Sequence, residues 1–309
     1  MTDLPWVVLV NPTAGGGRGA KWGRRVVEAV SRSGAGVRVV IGTDASDAER
    51  RAVSVVGLGA RGLLTVGGDG AAHIGINVAA KAGVPFGVVA AGSGNDFARA
   101  LGTRTLGPED AVASILQSEV NGGVAVDLGK LASGRYFGCV LSAGFDAAVN
   151  AKANTMRHLG GRSRYPLAML SQLRVFRPMD LVVDVDGTRH RHRSMLVAVG
   201  NSSSYGGGMR ICPSASMTDG QFQVTIVEEM SVVELLSLFP RVYRGTHVNH
   251  PKATVYAGRR VRVYPELASG GSDQANLGLV FADGEQVGAG SITATVSRAA
   301  LRVLTHSLP

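Results

Sequence analysis

Residues 62–101 read GLLTVGGDGAAHIGINVAAKAGVPFGVVAAGSGNDFARAL. Short apolar runs at 62–66 and 84–90 bracket a helix-like stretch at 71–82. Each run stops at glycine and leads into small residues that open a helix. Strand, helix, strand at this spacing requires a crossover, so the two strands lie parallel. The pattern also runs upstream. Apolar runs at 6–10 and 37–41 alternate with helix-like stretches at 19–32 and 47–56, and another helix-like stretch follows at 95–101. Ser46 with Glu49 suggests a capping box for the 47–56 helix. The expectation is an α/β domain with a doubly wound, mostly parallel sheet, whose ligand lies beyond the carboxyl ends of the strands.

Downstream of about residue 126 the texture changes. VDLGKL, RYFGCVLSAG, LVVDVDG, RSMLVAVGN, FQVTIVEE, ATVYAGRRVRVYP and LVFADGEQVG are strand-like pieces joined by Gly, Asp and Ser turns. Several alternate apolar and polar residues, as half-buried antiparallel strands do. Helical stretches are expected within 146–177 and at 231–242, the latter opened by a Ser231/Glu234 capping box. The expected organisation is therefore residues 1–126 as the α/β domain and 127–309 as a β-sandwich-like domain.

The totals narrow the classes. With 309 residues, 45% apolar and 18% charged, the chain can bury a core. The formal charge of +9 attracts polyanions, although a basic surface also serves solubility alone. Cys139 and Cys212 form no CxxC pair, which fits a reducing cytosol. The N-terminal sequence has no basic region ahead of its apolar run, and no apolar stretch reaches 18 residues, so neither a signal peptide nor a spanning helix is expected. No nucleic-acid-binding module is visible, and RRVRVY at 259–264 reads as an exposed strand.

Chemistry concentrates in four glycine-rich corners, each at the end of an α/β-domain strand: VNPTAGGGRG, IGTDAS, VGGDGAAH and AAGSGNDFARALG. Glycines let a backbone approach a ligand closely, and free N–H groups at a helix start favour an anion. Four such corners on one sheet edge indicate a phosphate-bearing ligand. The first lacks Gly-Lys-Ser/Thr and is not a P-loop, and no Gly-x-Gly-x-x-Gly opens a dinucleotide fold. Asp44 lies near the place of a dinucleotide-binding acid, but a capping or turn role accounts for it equally well.

NPTAGGG, GGDG, GSGNDFA, GFDA and FADGE, in this order from Asn11 to Glu285, resemble the diacylglycerol kinase and sphingosine kinase family of lipid kinases, in its small bacterial branch. GGDG alone is shared with NAD kinases and phosphofructokinases, whereas GSGNDFAR and the late DGE separate the lipid kinases from them. The resemblance implies ATP bound in a cleft between the two domains, Mg²⁺, and a lipid acceptor met at the membrane surface by a cytoplasmic, peripherally associated enzyme. It also implies a C-terminal segment packed back on the first domain, which the residues themselves do not reveal, and it leaves a homodimer open. The nucleotide residues it implies are Asn11, Pro12, Thr13, Ala14 and Gly15; Thr43; Gly67, Gly68, Gly70 and Ala71; and Gly92, Ser93, Gly94, Asn95 and Asp96. Asp69, Asp283 and Glu285 are the implied catalytic residues, Asp69 acting through Mg²⁺ and one of the other two deprotonating the lipid hydroxyl. Asp219, with groups of Ser216 and Gln221, is the implied structural Mg²⁺ site. A plain turn is the alternative both for Asp219-Gly220 and for Asp283-Gly284.

Two departures stand out. The family writes threonine where this chain has Ala71, and an Asn-Glu pair where it has His73-Ile74. The lost hydroxyl implies lower ATP affinity. His73 is expected to be a helix residue near solvent, with donation to phosphate as the alternative. The segment 165–179, YPLAMLSQLRVFRPM, with the arginines around it, reads either as a core-packing helix or as a contact with an anionic interface. The expected reaction is transfer of the ATP γ-phosphate to a lipid hydroxyl, foremost that of diacylglycerol. A sphingoid-base or NAD-like acceptor, or a catalytically weak nucleotide- or lipid-binding regulator, remains the alternative.

Overall fold

The computed structural model describes residues 4–144, 178–266, 279–305 and 308. The chain divides into two compact units. The first comprises Met1–Leu128, Tyr136–Gly138 and Ser297–Pro309; the second comprises Gly129–Arg135 and Cys139–Val296. The sequence reading drew one break at 126/127. The chain crosses between units more often: β5 (Val124–Leu131) and β15 (Ile292–Val303) each contribute residues to both, and the two-residue β6 (Tyr136–Phe137) belongs to the first.

In the first unit, β1 (Trp6–Val10), β2 (Val37–Val40), β3 (Gly62–Gly67) and β4 (Phe86–Ala90) pair in the order β2-β1-β3-β4, all parallel. Val303 of β15 pairs with Phe86 beside them, also parallel. β1, β3 and β4 are buried along their whole length, which is why their sequences are continuous apolar runs. Helices α1 (Arg18–Arg32), α2 (Ala45–Gly57), α3 (Asp69–Ala82), α4 (Asp96–Ala100) and α5 (Pro108–Val120) complete the unit. Trp6, Val8, Val10, Leu64, Val66 and Val89 form one core with Val26 and Val30 of α1 and with Ala111, Val112 and Ile115 of α5. α2 and α3 pack on each other.

The α5 helix has no counterpart in the sequence reading, although Gly107 at its N-cap, Pro108 at its first position and the acids Glu109 and Asp110 are ordinary start signals. The cap of α2 also differs from expectation. Asp44, not Ser46, accepts the Asp47 N–H, at 2.9 Å, and Ser46 lies inside the helix. His73 is not near solvent: it is 3% exposed on α3. The last residues belong to the first unit, where Ser118 donates to the Thr305 carbonyl at 2.8 Å and Thr305 donates to the Leu101 carbonyl at 3.1 Å.

The second unit is antiparallel. β9 (Thr188–Gly200) pairs along its length with β8 (Met179–Val185), β7 (Val140–Gly144) and β10 (Phe222–Glu228). β10 continues to β11 (Ala253–Gly258), β8 to β12 (Arg260–Pro265), and β7 to the hairpin of β13 (Leu279–Ala282) and β14 (Glu285–Ala289). The run 253–265 is thus two strands with different partners. The Asp186 carboxylate fixes the break by accepting the N–H groups of Arg259 and Arg260. β15, which had no place in the sequence reading, pairs with β12. α6 (Val232–Arg244) carries the expected Ser231/Glu234 capping box. The helix expected within 146–177, the rest of the GFDA motif beyond Gly144, and residues 165–177 lie outside the described residues.

Candidate functional site

The third and fourth glycine-rich corners are built as one piece. Asp69 opens α3, and its carboxylate reaches across to the start of α4. Oδ2 accepts the Asn95 N–H at 3.0 Å and Oδ1 the Asp96 N–H at 2.7 Å. A carboxylate at a short helix's N-terminus satisfies donors that the helix itself cannot. A Cβ on Gly94 would run into Asp69 Oδ2, so only glycine lets the corner close over that carboxylate. Asn95 sits in the left-handed region at φ 57°, and its side chain holds both ends of Gly92: Oδ1 accepts the N–H at 3.0 Å and Nδ2 donates to the carbonyl at 2.8 Å. The Gly67 carbonyl accepts the N–H groups of Ala91 and Gly92. Arg99 steadies the same turn, donating to the Gly94 carbonyl at 3.2 Å and lying 3.5 Å from Asp96.

The first corner joins them through a residue the sequence reading missed. Arg18, at the start of α1, donates to the carbonyls of Ala91 and Gly92 at 3.1 and 2.7 Å. A cation at a helix N-terminus opposes the helix dipole, and that oddity was the available signal. Gly15 lies under this contact with φ +59°, and a Cβ there would meet the Ala91 carbonyl. Asn11 accepts from the N–H and hydroxyl of Thr13, which shapes the loop holding Pro12 and Ala14. Thr43 of the second corner instead gives its N–H to Asp47 at 3.1 Å. That bond, followed by Arg51, holds the Asp47 carboxyl below its ordinary range.

The implied nucleotide residues therefore divide into two sets. The N–H groups of Gly92, Asn95 and Asp96 are spent inside the corner. Those of Gly68, Gly70, Ala71, Ser93 and Gly94 have no partner among the described residues. Three of these five belong to the first turn of the 14-residue α3 or to its N-cap, where the helix dipole adds to the attraction for an anion. Ala71 lacks a hydroxyl but keeps this N–H.

In the second unit, Asp283 and Gly284 are the two loop residues between β13 and β14, and both have positive φ (52° and 84°). This is the backbone of a tight primed hairpin turn. The turn reading thus holds, and Asp283 does more. Its Oδ1 accepts the Cys139 N–H at 2.7 Å, and its own N–H bonds the Val140 carbonyl at 3.1 Å. The carboxylate is half-buried and fixed, whereas Glu285 is exposed. Asp219 caps its own turn, accepting the Gln221 N–H at 2.9 Å, while Ser216 Oγ lies 3.2 Å from the Thr218 hydroxyl. Among the described residues no cluster of three or more His, Cys, Asp or Glu side chains is assembled for a metal ion. Cys139 and Cys212 are free and buried, and burial pushes the Cys212 thiol up to about 12.

Comparison with known proteins accords with this architecture. Residues 5–131 match the family described as diacylglycerol kinase catalytic domain, and residues 139–305 match the YegS C-terminal NAD kinase beta sandwich-like domain. The chain is 34% identical over 260 residues to a diacylglycerol kinase of Mycobacterium tuberculosis, covering 82% of this chain and 83% of that protein. To a diacylglycerol kinase of Bacillus subtilis it is 27% identical over 263 residues, covering 83% and 84%. A crystal structure of a diacylglycerol kinase from Bacillus anthracis superposes with a TM-score of 0.75 at 19% identity, covering 99% of this chain and 98% of that one. The chain belongs to the diacylglycerol kinase family of lipid kinases.

Proposed function

We propose that the protein transfers the γ-phosphate of ATP to the hydroxyl of a membrane lipid alcohol, and that diacylglycerol, yielding phosphatidic acid, is its principal acceptor. The observation that carries the nucleotide half is the Asp69 tie. It joins two corners into one surface and leaves the N–H groups of Gly68, Gly70, Ala71, Ser93 and Gly94 for phosphate oxygens. Phosphoryl transfer consists mainly of positioning and charge stabilisation, which such a cradle supplies. In this reading Asp69 is a positioning residue. Asp283, fixed by the Cys139 N–H, accepts the acceptor's proton.

Bound Mg²⁺ supplies the positive charge that phosphate transfer needs. Asp219, with backbone oxygens at Ser216 and Gln221, suits a second, structural Mg²⁺. The donors are hard oxygens, and Asp219 Oδ2 carries no hydrogen bond among the described residues. The acceptor half rests on the relatives named diacylglycerol kinase. The description of the second-half match as NAD kinase-like favours one other reading, a soluble acceptor.

Incubation with ATP, Mg²⁺ and a panel of diacylglycerol, sphingoid bases and NAD decides between them. Phosphatidic acid as the main product is expected. NADP as the main product, or no phosphorylated lipid from a preparation that binds ATP, overturns the proposal.

A further inference from the structure

The α6 helix wastes hydrophobic surface in a way its packing does not explain. Leu238 is buried, and Leu235, Phe239 and Val242 on the same side are half-buried, so this side docks the helix on its unit. The adjoining side, centred about 120° around the helix, is also apolar. Val232, Val233, Leu236 and Tyr243 are 44%, 76%, 40% and 48% exposed, and Pro240 is exposed among them. At about 100° per residue these five fall within an arc of roughly 100°, so they form one stripe over three turns. Other large exposed apolar residues, such as Leu58 and Val120, sit singly at helix ends and need no explanation. A contiguous stripe does.

Charge identifies the occupant. Continuing around the helix from the stripe come Arg244 and Arg241, both exposed and without an ion pair among the described residues. Arg210 adjoins the same end, its N–H bonded to the Val242 carbonyl. The helix's one acid, Glu234, lies away from the stripe. It is spent on the capping box and on Lys252 at 3.2 Å. The exposed side is therefore apolar with a cationic margin, on a chain of net charge +9. A second copy of this face would bring another cationic margin and no acid to pair with it, because Glu234 is already engaged by its cap and by Lys252. A bilayer with anionic headgroups accepts both parts at once: side chains enter the acyl boundary, the arginines meet phosphates, and Tyr243 suits the interface.

We infer that α6 is a membrane-contact helix that lays Val232, Val233, Leu236, Pro240 and Tyr243 into the surface of an anionic bilayer. The inference deepens the lipid-kinase reading, because it names the surface by which the enzyme meets a membrane-borne acceptor.

Two double variants test it on the full chain: Val233→Ser with Leu236→Ser, and Arg241→Gln with Arg244→Gln. Partition is measured by flotation without nucleotide, on vesicles of phosphatidylcholine with phosphatidylglycerol and on pure phosphatidylcholine. The serine pair should lower partition onto the anionic vesicles about tenfold or more. The glutamine pair should lower it about thirtyfold there, at about 1 kcal/mol for each arginine, and leave the weak binding to neutral vesicles unchanged. Both should keep the wild-type melting temperature and the wild-type rate on a short-chain, monomeric diacylglycerol, while losing rate on vesicle-borne substrate. Unchanged partition in both doubles overturns the inference. So does loss of a concentration-dependent dimer in sedimentation with partition intact, which would assign the stripe to a second copy, or loss of capture by an acidic protein with partition intact. The two readings fail separately. Vesicle binding through α6 by a chain that phosphorylates no lipid rejects the kinase, whereas full activity on vesicles by both doubles rejects the helix.

Discussion

Asp69 accepts the Asp96 N–H at 2.7 Å, and with the Asn95 bond at 3.0 Å this single carboxylate holds together two corners that are 26 and 27 residues apart in sequence. Hydrogen bonds to a charged acceptor are worth about 1.5–3 kcal/mol each. Asp69→Ala should therefore lower the melting temperature by about 4–8 °C, taking about 2 kcal/mol as the net loss in a domain of this size. It should also raise the ATP Kd at least about tenfold, because the loosened corners no longer aim their N–H groups together. Differential scanning fluorimetry and equilibrium ATP binding check both. A variant that melts like wild type would show that the tie is not what orders the corners.

Ala71 calls for a different expectation from the one its sequence context suggests. Its side chain is 5% exposed and lies close against Gly67, while its N–H remains among those open to phosphate. A threonine hydroxyl would add about 1 kcal/mol through a neutral hydrogen bond, and the added bulk at a packed position costs a comparable amount. Ala71→Thr should change the ATP Kd by less than about threefold. A tenfold gain in affinity, measured by calorimetry, would show that the missing hydroxyl limits nucleotide binding.

His247 predicts a pH effect on the second unit. It is fully buried, its Nε2 lies 3.1 Å from the Ile211 carbonyl, and its Nδ1 has no partner among the described residues. Burial pushes its pKa below the ordinary 6.5, with the Ile211 bond a smaller opposing influence. The unfolded chain therefore takes up the proton more readily than the folded one. Stability from this group is complete above about pH 6.5 and is lost as pH falls below it, with a limiting slope of about 1.4 kcal/mol per pH unit. His247→Phe should be less stable at pH 8, since it orphans the Ile211 carbonyl, but its melting temperature should fall less than that of wild type between about pH 7.5 and about pH 5.5. Parallel losses in the two proteins would mean that another group governs the acid limb.

The alternation of strands and helices was legible because parallel strands buried on both faces must be apolar runs, and β1, β3 and β4 are. The Ser231/Glu234 cap was legible because both partners lie within one turn. Less legible was whatever depended on a choice between neighbours or on contacts through space. Asp44 and Ser46 are both good caps, and only the reach of Asp44 Oδ1 to the Asp47 N–H decides for the former. The apolar face of α5 is short and follows a Gly-Pro that reads as loop. The first half of β15 alternates, but the RAAL within its second half does not. His73 is polar on a helix whose middle is buried all round, so a solvent-side assignment failed. Within the site, the residue types of GSGND gave no hint that Asn95 and Asp96 turn their N–H groups inward to Asp69. That follows from where α3 and α4 begin in space.

The choice between Asp283 and Glu285 as proton acceptor is the prediction that most directly tests the proposed reaction. Asp283 is half-buried, pinned by the Cys139 N–H at 2.7 Å, and held on a loop of positive φ. Glu285 is exposed on β14. A general base works from a fixed position, and a solvated, mobile carboxylate has no such position to offer. Asn tolerates the left-handed backbone and can still accept the Cys139 N–H, so Asp283→Asn should fold with a melting temperature within about 2 °C of wild type. Its kcat for the lipid acceptor should fall about 10²–10⁴-fold, with the ATP Kd within about twofold, because proton acceptance alone is removed. Glu285→Gln should lose less than about threefold, a change expected of an exposed side chain. Steady-state kinetics on both variants, beside ATP binding, separate the roles. Equal and large losses in both would make the two carboxylates a working pair, and a silent Asp283→Asn would remove this hairpin from the chemistry.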